Sequence, residues 1–360
     1  MSESRGSSAP QDLETERELE YSAAIDEALG EALAQDETVF TMGEDVELLH
    51  QDLKEEFPDR VLNTPISEAG FIGAGTGAAY SGMRPVVELQ MIDFFGVAMS
   101  QIYNEMAKTT YYSDGNLNIP LVMRTACGGG YRDAGTQQQS LYSLFGHVPG
   151  LKVAVPSTPY DAKGMMKSAI DAADPVLFFE HKLLSDSWLS LLAGDERWPD
   201  GMHEQFDVPA AGNRGVVPEE EYNVPLGQAS VKREGEDVTI VTIGVMVHRA
   251  LETADTLAEE TGIDCEVVDL RSVVPLDEET VISSARKTGR VVVIDEDYER
   301  YGLTGEIAAG VADEAFDALE APIKRVGTEM VPIPFSPPLE DRALPSTRDI
   351  RNAIEEITPK

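Results

Sequence analysis

The chain has 360 residues, with 65 acidic and 28 basic side chains, a formal net charge of −37 and a pI of about 4.3. Such an acid excess repels a phosphate backbone and excludes nucleic-acid binding. With 42% hydrophobic residues, this length predicts two folded domains, not a solvated disordered chain. The acidity reads as a carboxylate-covered surface of the kind found in very salty cytoplasm, where salt screens self-repulsion.

Cys127 and Cys265 each lie in or just after an apolar, strand-like run, far apart in sequence. They read as buried free thiols in a reducing cytoplasm, and no C-x-x-C or Cys/His cluster points to zinc. No run of about 18 apolar residues predicts a membrane span. Residues 1–12 (MSESRGSSAPQD) lack a signal-peptide core and read as a disordered tail.

From residue 13 the chain enters a helix. Tyr21, Ala24, Ile25, Ala28, Leu29 and Leu33 fall on one helical stripe. Val39 to Met42 reads as a short buried strand. The segment ISEAGFIGAGTGAAYSG, residues 66–82, is dense in Gly and Ala, which predicts a helix packed very close to a neighbour. Strands over 85–89, 120–125, 152–155 and 176–180 then alternate with helices over 97–111, 140–145 and 160–173. The alternation predicts an α/β domain, a mostly parallel sheet flanked by helices, over residues 13–190. Residues 191–222, rich in Asp, Glu, Pro and Gly, read as a linker. A second α/β domain is expected over 223–360. There VTIVTIG, CEVVDL, RVVVIDE and IKRVG read as strands between helices over 247–261, 277–287, 305–318 and 347–357.

No phosphate-binding Walker loop, G-x-S-x-G elbow or H-E-x-x-H motif is present. GAGTGAA at 73–79 has the glycines of a dinucleotide loop. However, they do not follow a strand, and no acidic residue ends a suitable next strand.

Longer motifs are more specific. TPISEAGFIGAGTGAAYSGMRPVVELQ, SQIYNEMAK, PGLKVAVPSTPYDAKG, DPVLFFEHK, VDLRSVVPLDEETV and KTGRVVVIDE occur in this order. Together they resemble the beta subunits of thiamine-diphosphate-dependent 2-oxoacid and acetoin dehydrogenases, over roughly residues 16–358. MIDFFGVAMSQIYNEMAK and SLYSLFGHVPGLKV are most similar to acetoin dehydrogenase beta chains. The resemblance implies a pyrimidine-binding domain followed by a transketolase-like C-terminal domain. It implies an enzyme active only with an alpha subunit, as a heterotetramer, with thiamine diphosphate and magnesium held mainly by that partner. The implied reaction cleaves the carbon–carbon bond next to a carbonyl and passes the acyl group to lipoamide on a lipoyl acyltransferase core. Pyruvate, a branched-chain 2-oxoacid and acetoin remain open as substrates. Half of a split transketolase-like enzyme and a non-catalytic beta-like scaffold are the alternatives. DGN at 114–116 is similar to the start of the metal-diphosphate motif of thiamine enzymes. It lacks the Asn pair expected further along and reads as a turn.

Carried over residue by residue, the resemblance assigns Glu68 to the cofactor's aminopyrimidine ring. A carboxyl sharing a proton there drives the ring to the tautomer that can take a proton from the neighbouring thiazolium. An apolar, Gly/Ala-lined setting favours such sharing. Taken alone, Glu68 also reads as a helix-start carboxylate favoured by the dipole. Phe94 matches the aromatic packed on the pyrimidine face, and alone it reads as a core residue. Gln90 falls at a position near the ring. Leu121, Ala169, Ile170, Ala172 and Asp174 align with a potassium site built mainly from backbone carbonyls. Gln137 stands where relatives carry a histidine that moves protons during acyl transfer. An amide hydrogen-bonds but does not titrate near neutrality. His147 reads as structural, and His248 as a residue at a helix start.

Overall fold

The computed structural model describes residues 17–190 and 207–359. The expected tail over 1–12 and most of the expected linker, residues 191–206, lie outside these. Two sheets organise the chain. Strands β1 (Glu18–Glu20) and β8 (Arg214–Val216) form a separate antiparallel ribbon. The α/β class expected from the alternating pattern is what the chain adopts.

The first sheet contains β2 (Val39–Gly43), β3 (Val61–Asn63), β4 (Arg84–Met91), β5 (Val122–Cys127), β6 (Lys152–Ala154), β7 (Val176–His181) and β12 (Ser272–Val274). Its order is β12-β6-β7-β5-β4-β2-β3. All pairings are parallel except that of β12 with β6. VMRTAC and VLFFEH are buried at every residue, as parallel strands covered on both faces must be. The charges on these strands are therefore paired. Arg124 donates to Glu180 at 2.9 Å and to Asp26 at 3.0 Å, while His50 meets Glu88 at 2.7 Å. Burial lowers the His50 imidazole, but Glu88 and Asp26 outweigh that and hold it up at about 10.

The second sheet contains β9 (Ser230–Arg233), β10 (Val238–Thr242), β11 (Cys265–Asp269), β13 (Val291–Tyr298) and β14 (Lys324–Thr328), in the order β14-β13-β10-β11-β9. Only β9 is antiparallel. Ser272 and Val274 pair with Ala154 and Val153, so a strand from the second half of the chain edges the first sheet. One apolar cluster runs through both, joining Val153, Val155 and Leu177 to Val241, Ile243 and Leu270.

The stripe read from the sequence lies on the helix Tyr21–Gln35, and all six of its apolar residues are buried. Residues 18–20, read as helical, are extended instead, because they pair with β8. The Gly/Ala segment forms the helix Glu68–Tyr80, packed against β4. A Cβ on Gly75 would lie 2.4 Å from Val87 Cγ2, so this approach requires glycine. The stretch read as one helix over 97–111 is three pieces: a 3₁₀ turn (Ile92–Ala98), a π-helical stretch (Gln101–Met106) and an α-helix (Ala107–Tyr112). Ile102, Met106 and Ala107 still reach the core. A change of hydrogen-bond step therefore leaves the apolar spacing intact and invisible in sequence. Residues 114–116 turn, with φ of 56° at Asp114 and 74° at Gly115. Cys127 and Cys265 are buried and free. No helix among the described residues is long and apolar enough to cross a membrane.

Candidate active site

In parallel α/β sheets, ligand-binding groups gather beyond the carboxyl ends of the strands. Here the ends of β4, β5, β7 and β13 supply the polar side chains.

Glu68 is the first residue of its helix and is half-buried. Its carboxylate makes no hydrogen bond or ion pair among the described residues. Ser67 does not cap the helix, and Ile66 beside it is 75% exposed. Glu44, at the end of β2, lies within electrostatic reach. Burial, with the charges of Asp45 and Glu68, pushes the Glu44 carboxyl up. Gln90 reaches the same turn: its amide donates to the Glu44 carbonyl at 3.4 Å and to Asp45 Oδ2 at 3.3 Å. Phe94 sits on the 3₁₀ segment, half-buried against Met91, Ala126 and Trp188. The helix that begins with Glu68 packs on this segment. The fold thus brings Glu68, Gln90 and Phe94 to one end of the first sheet.

Gln137 lies in the loop after β5. Its N–H donates to the Ala134 carbonyl at 3.1 Å, and its carbonyl accepts from Lys182 Nζ. Lys182 is fully buried, and burial draws its ammonium below the usual lysine range, against the charges of Asp133 and Asp93. His147 is exposed. His248, near the start of the helix Met246–Thr261, bonds the Ser157 carbonyl at 2.6 Å. Burial lowers it to about 4, so it stays neutral there.

Several groups escaped the sequence reading. Glu296, on β13, accepts from the Gly129 N–H at 2.8 Å, the Ser140 hydroxyl at 2.9 Å and His181 at 3.0 Å. Burial raises its carboxyl, but His181 and these donors outweigh that and hold it at about 2. Gly128 leaves room for His181: its φ is +101°, and a Cβ there would lie 2.0 Å from Nε2. Asp295 bonds the Tyr142 hydroxyl; burial and the Asp297 charge push its carboxyl to about 8. Asp93 accepts twice from Gln139, which in turn accepts from Tyr298. The sequence signal was present in the polar runs EHK and DED that end two apolar strands.

Four of the carbonyls aligned with a potassium site accept hydrogen bonds, and the Asp174 side chain is paired. Leu121 O accepts from Val176, and Ala169 O from Ala172. Ile170 O and Ala172 O accept from Arg84 Nη1 at 2.8 and 3.2 Å, and Asp174 pairs with Lys152 at 3.1 Å. The Arg84 guanidinium against two of the carbonyls opposes a second cation there. Among the described residues, no group of three His, Cys, Asp or Glu side chains could hold a metal ion.

The order of domains defines the class. The transketolase pyrimidine-binding domain matches residues 17–186, and the transketolase C-terminal domain matches residues 227–350. A split-gene transketolase, solved as an inactive beta4 tetramer, superposes with a TM-score of 0.71 at 24% identity. It covers 94% of this chain and 98% of its own, and the likeness bears on fold. Sequence relatives narrow the class. The acetoin:2,6-dichlorophenolindophenol oxidoreductase subunit beta of Cupriavidus necator is 42% identical, across 94% of this chain and 96% of its own. The 2-oxoisovalerate dehydrogenase subunit beta of Bacillus subtilis is 39% identical, across 94% and 98%. The pyruvate dehydrogenase E1 component subunit beta of Rickettsia felis is 39% identical, across 93% and 96%. The chain belongs to this family, the beta subunits of 2-oxoacid and acetoin dehydrogenases within the transketolase-like proteins.

Proposed function

We propose that the chain is the beta subunit of a cytoplasmic, thiamine-diphosphate-dependent 2-oxoacid or acetoin dehydrogenase, working with an alpha subunit in a heterotetramer. The observation that carries this reading is the Glu68 carboxylate, which is unpaired among the described residues. It stands at a helix start within electrostatic reach of Glu44, with Gln90 bonded to the same turn and Phe94 on the adjoining segment. A half-buried carboxylate with no partner of its own is a free acceptor, and it fits a ring nitrogen that shares a proton. Phe94 offers an apolar face against which a flat ring stacks.

When bound, thiamine diphosphate supplies the electron sink for cleaving the bond beside the substrate carbonyl. Glu68 holds or releases a proton at its carboxylate. Gln90 and Phe94 orient the ring, and the Gly/Ala-rich helix keeps water from its inner side. Diphosphate and magnesium fall to the alpha subunit. Gln137 would line the route by which the acyl group reaches lipoamide on a lipoyl acyltransferase core, in place of a titrating side chain.

Calorimetry tests the division of labour. The chain alone binds thiamine diphosphate weakly and without magnesium dependence, and co-expression with its alpha subunit restores tight binding and 2-oxoacid or acetoin turnover. Tight, magnesium-dependent binding by the lone chain would overturn the shared site.

A further inference from the structure

Phe94 is carried on a short 3₁₀ segment, next to Phe95, which packs edge-on against Phe145 at 5.3 Å. The 3₁₀ turn Ile92–Ala98 buries only its end residues, Ile92 and Ala98, while Val97 is 66% exposed. Hydrogen bonding in 3₁₀ turns is poorer than in α-helices. A side-chain chain from the other sheet reaches its first turn, at Asp93. Tyr298, the last residue of β13, places its hydroxyl 3.0 Å from Gln139 Oε1. Gln139 Nε2 lies 2.7 Å from Asp93 Oδ1, and its main-chain N–H is 3.4 Å from Asp93 Oδ2. The amide orientation follows from chemistry. A carboxylate only accepts, so Nε2 must face Asp93 and Oε1 must face the phenol. The same hydroxyl has a second acceptor, the Val331 carbonyl at 3.2 Å.

We propose that Tyr298 is a positioning residue that, through Gln139 and Asp93, holds the segment bearing Phe94 in place for the cofactor ring. The proposal rests on the thiamine reading of the site for its last step only. Asp93 is the one charged side chain on the segment, and both its oxygens are taken by Gln139. Burial raises its carboxyl, while Gln139 and Lys182 draw it down. Two residues before Gln139, the Gln137 carbonyl is fixed by Lys182. The loop that presents the amide is thereby anchored to β7, and a pull on Gln139 is transmitted to Asp93 instead of being lost in loop motion.

The chain of bonds has a polarity that can be reversed. Gln139→Glu sets two carboxylates face to face and breaks the link. Adding Asp93→Asn restores it: the new amide donates to the new carboxylate, which still accepts from Tyr298. Tyr298→Phe removes the far end alone. Amide hydrogen exchange over residues 92–98 is measured on the full chain without its partner. Trp188, packed on Phe94, reports independently through fluorescence quenching in a Trp198→Phe background.

Gln139→Glu should raise exchange over 92–98 about tenfold or more, the scale of one lost hydrogen bond to a charged group. Tyr298→Phe should raise it less, and the double variant should return it to the parent value. In the assembled enzyme, the thiamine diphosphate KM should follow the same order while kcat at saturating cofactor stays within about twofold. The alanine variant of Tyr298 would confuse lost packing with a lost hydroxyl, so phenylalanine is used. Exchange that does not change in Gln139→Glu, or is not rescued by the double variant, overturns the link. Exchange that moves while the KM does not overturns its positioning role. If the parent assembly shows no thiamine-diphosphate-dependent turnover, the functional reading falls alone, and the exchange data still decide the link.

Discussion

His181 Nε2 and Glu296 Oε1 meet at 3.0 Å, joining the end of β7 in one sheet to the end of β13 in the other. Both are buried, and the same oxygen also accepts from Gly129 and Ser140. Removing it leaves an imidazole, a main-chain N–H and a hydroxyl without an acceptor. Glu296→Ala is expected to cost several kcal/mol, about 1–3 kcal/mol for each buried donor left without an acceptor. Glu296→Gln, which keeps an acceptor oxygen, costs less. Denaturant midpoints of the two variants give the comparison, and equal midpoints would show that the seam between the sheets does not depend on this carboxylate.

Asp295 titrates in the opposite sense to its neighbour. Its folded carboxyl lies at about 8 against an ordinary 3.8, because burial and the Asp297 charge disfavour ionisation. Between those values the folded chain binds more protons than the unfolded one, so this residue's contribution to stability falls as pH rises. His248, held down at about 4 from 6.5, makes stability rise with pH over its own window. Asp295→Asn isolates the first effect. Relative to the variant, the parent should lose stability steadily from about pH 4 to pH 8. A constant difference between the two proteins would place Asp295 ionised in the fold.

The elements with strong apolar period were readable in advance. The helix Tyr21–Gln35, the strands VLFFEH and VVVIDEDY, and the closing helix Thr347–Ile357 all follow the pattern. Short edge pieces were not. β12 is three residues long and owes its place to pairing with β6, more than a hundred positions earlier in the chain, and no local periodicity encodes that. The site divides in the same way. Glu68, Gln90 and Phe94 came through family likeness, since each alone has an ordinary structural reading. Tyr298, Gln139 and Asp93 act across sequence separations of 159 and 46, and only the folded chain brings them together.

The surface charge leads to a salt prediction. With a net charge of −37, carboxylate repulsion opposes the compact state. Salt shortens the Debye length from about 10 Å at 0.1 M to about 3 Å at 1 M. Thermal unfolding followed by circular dichroism should therefore shift to higher temperature as potassium chloride is raised toward molar levels. A midpoint independent of salt would remove the high-salt reading of the composition.

A substitution at Gln137 tests whether this position acts before or during acyl transfer. Its main chain is fixed by Lys182 and Ala134, so a new side chain at this position keeps the loop in place. Gln137→His introduces a group that titrates near neutrality. If the amide limits acyl transfer, the lipoamide-dependent rate rises more than the rate with an artificial electron acceptor. A parallel change in both rates would put the residue before that transfer.

Glu68 gives the sharpest test of the site. The carboxylate has no hydrogen-bond or ion-pair partner among the described residues, so Glu68→Gln breaks none of their hydrogen bonds. If Glu68 is only a helix-start carboxylate, the variant loses about 0.3–1 kcal/mol of dipole stabilisation and its rate hardly changes. If it shares a proton with the cofactor ring, size and packing survive but the proton does not. General acid–base steps contribute roughly 10²–10⁴-fold, and turnover in the assembled enzyme should fall by at least that range. Glu68→Asp discriminates further: it retains the acid but shortens its reach, so it should recover part of the rate only if the proton is what matters. The decisive measurement is kcat for 2-oxoacid or acetoin cleavage with an artificial acceptor, alongside the unfolding midpoint of the lone chain. A near-parent kcat in Glu68→Gln would remove this residue from the chemistry, and with it the observation on which the proposed function stands.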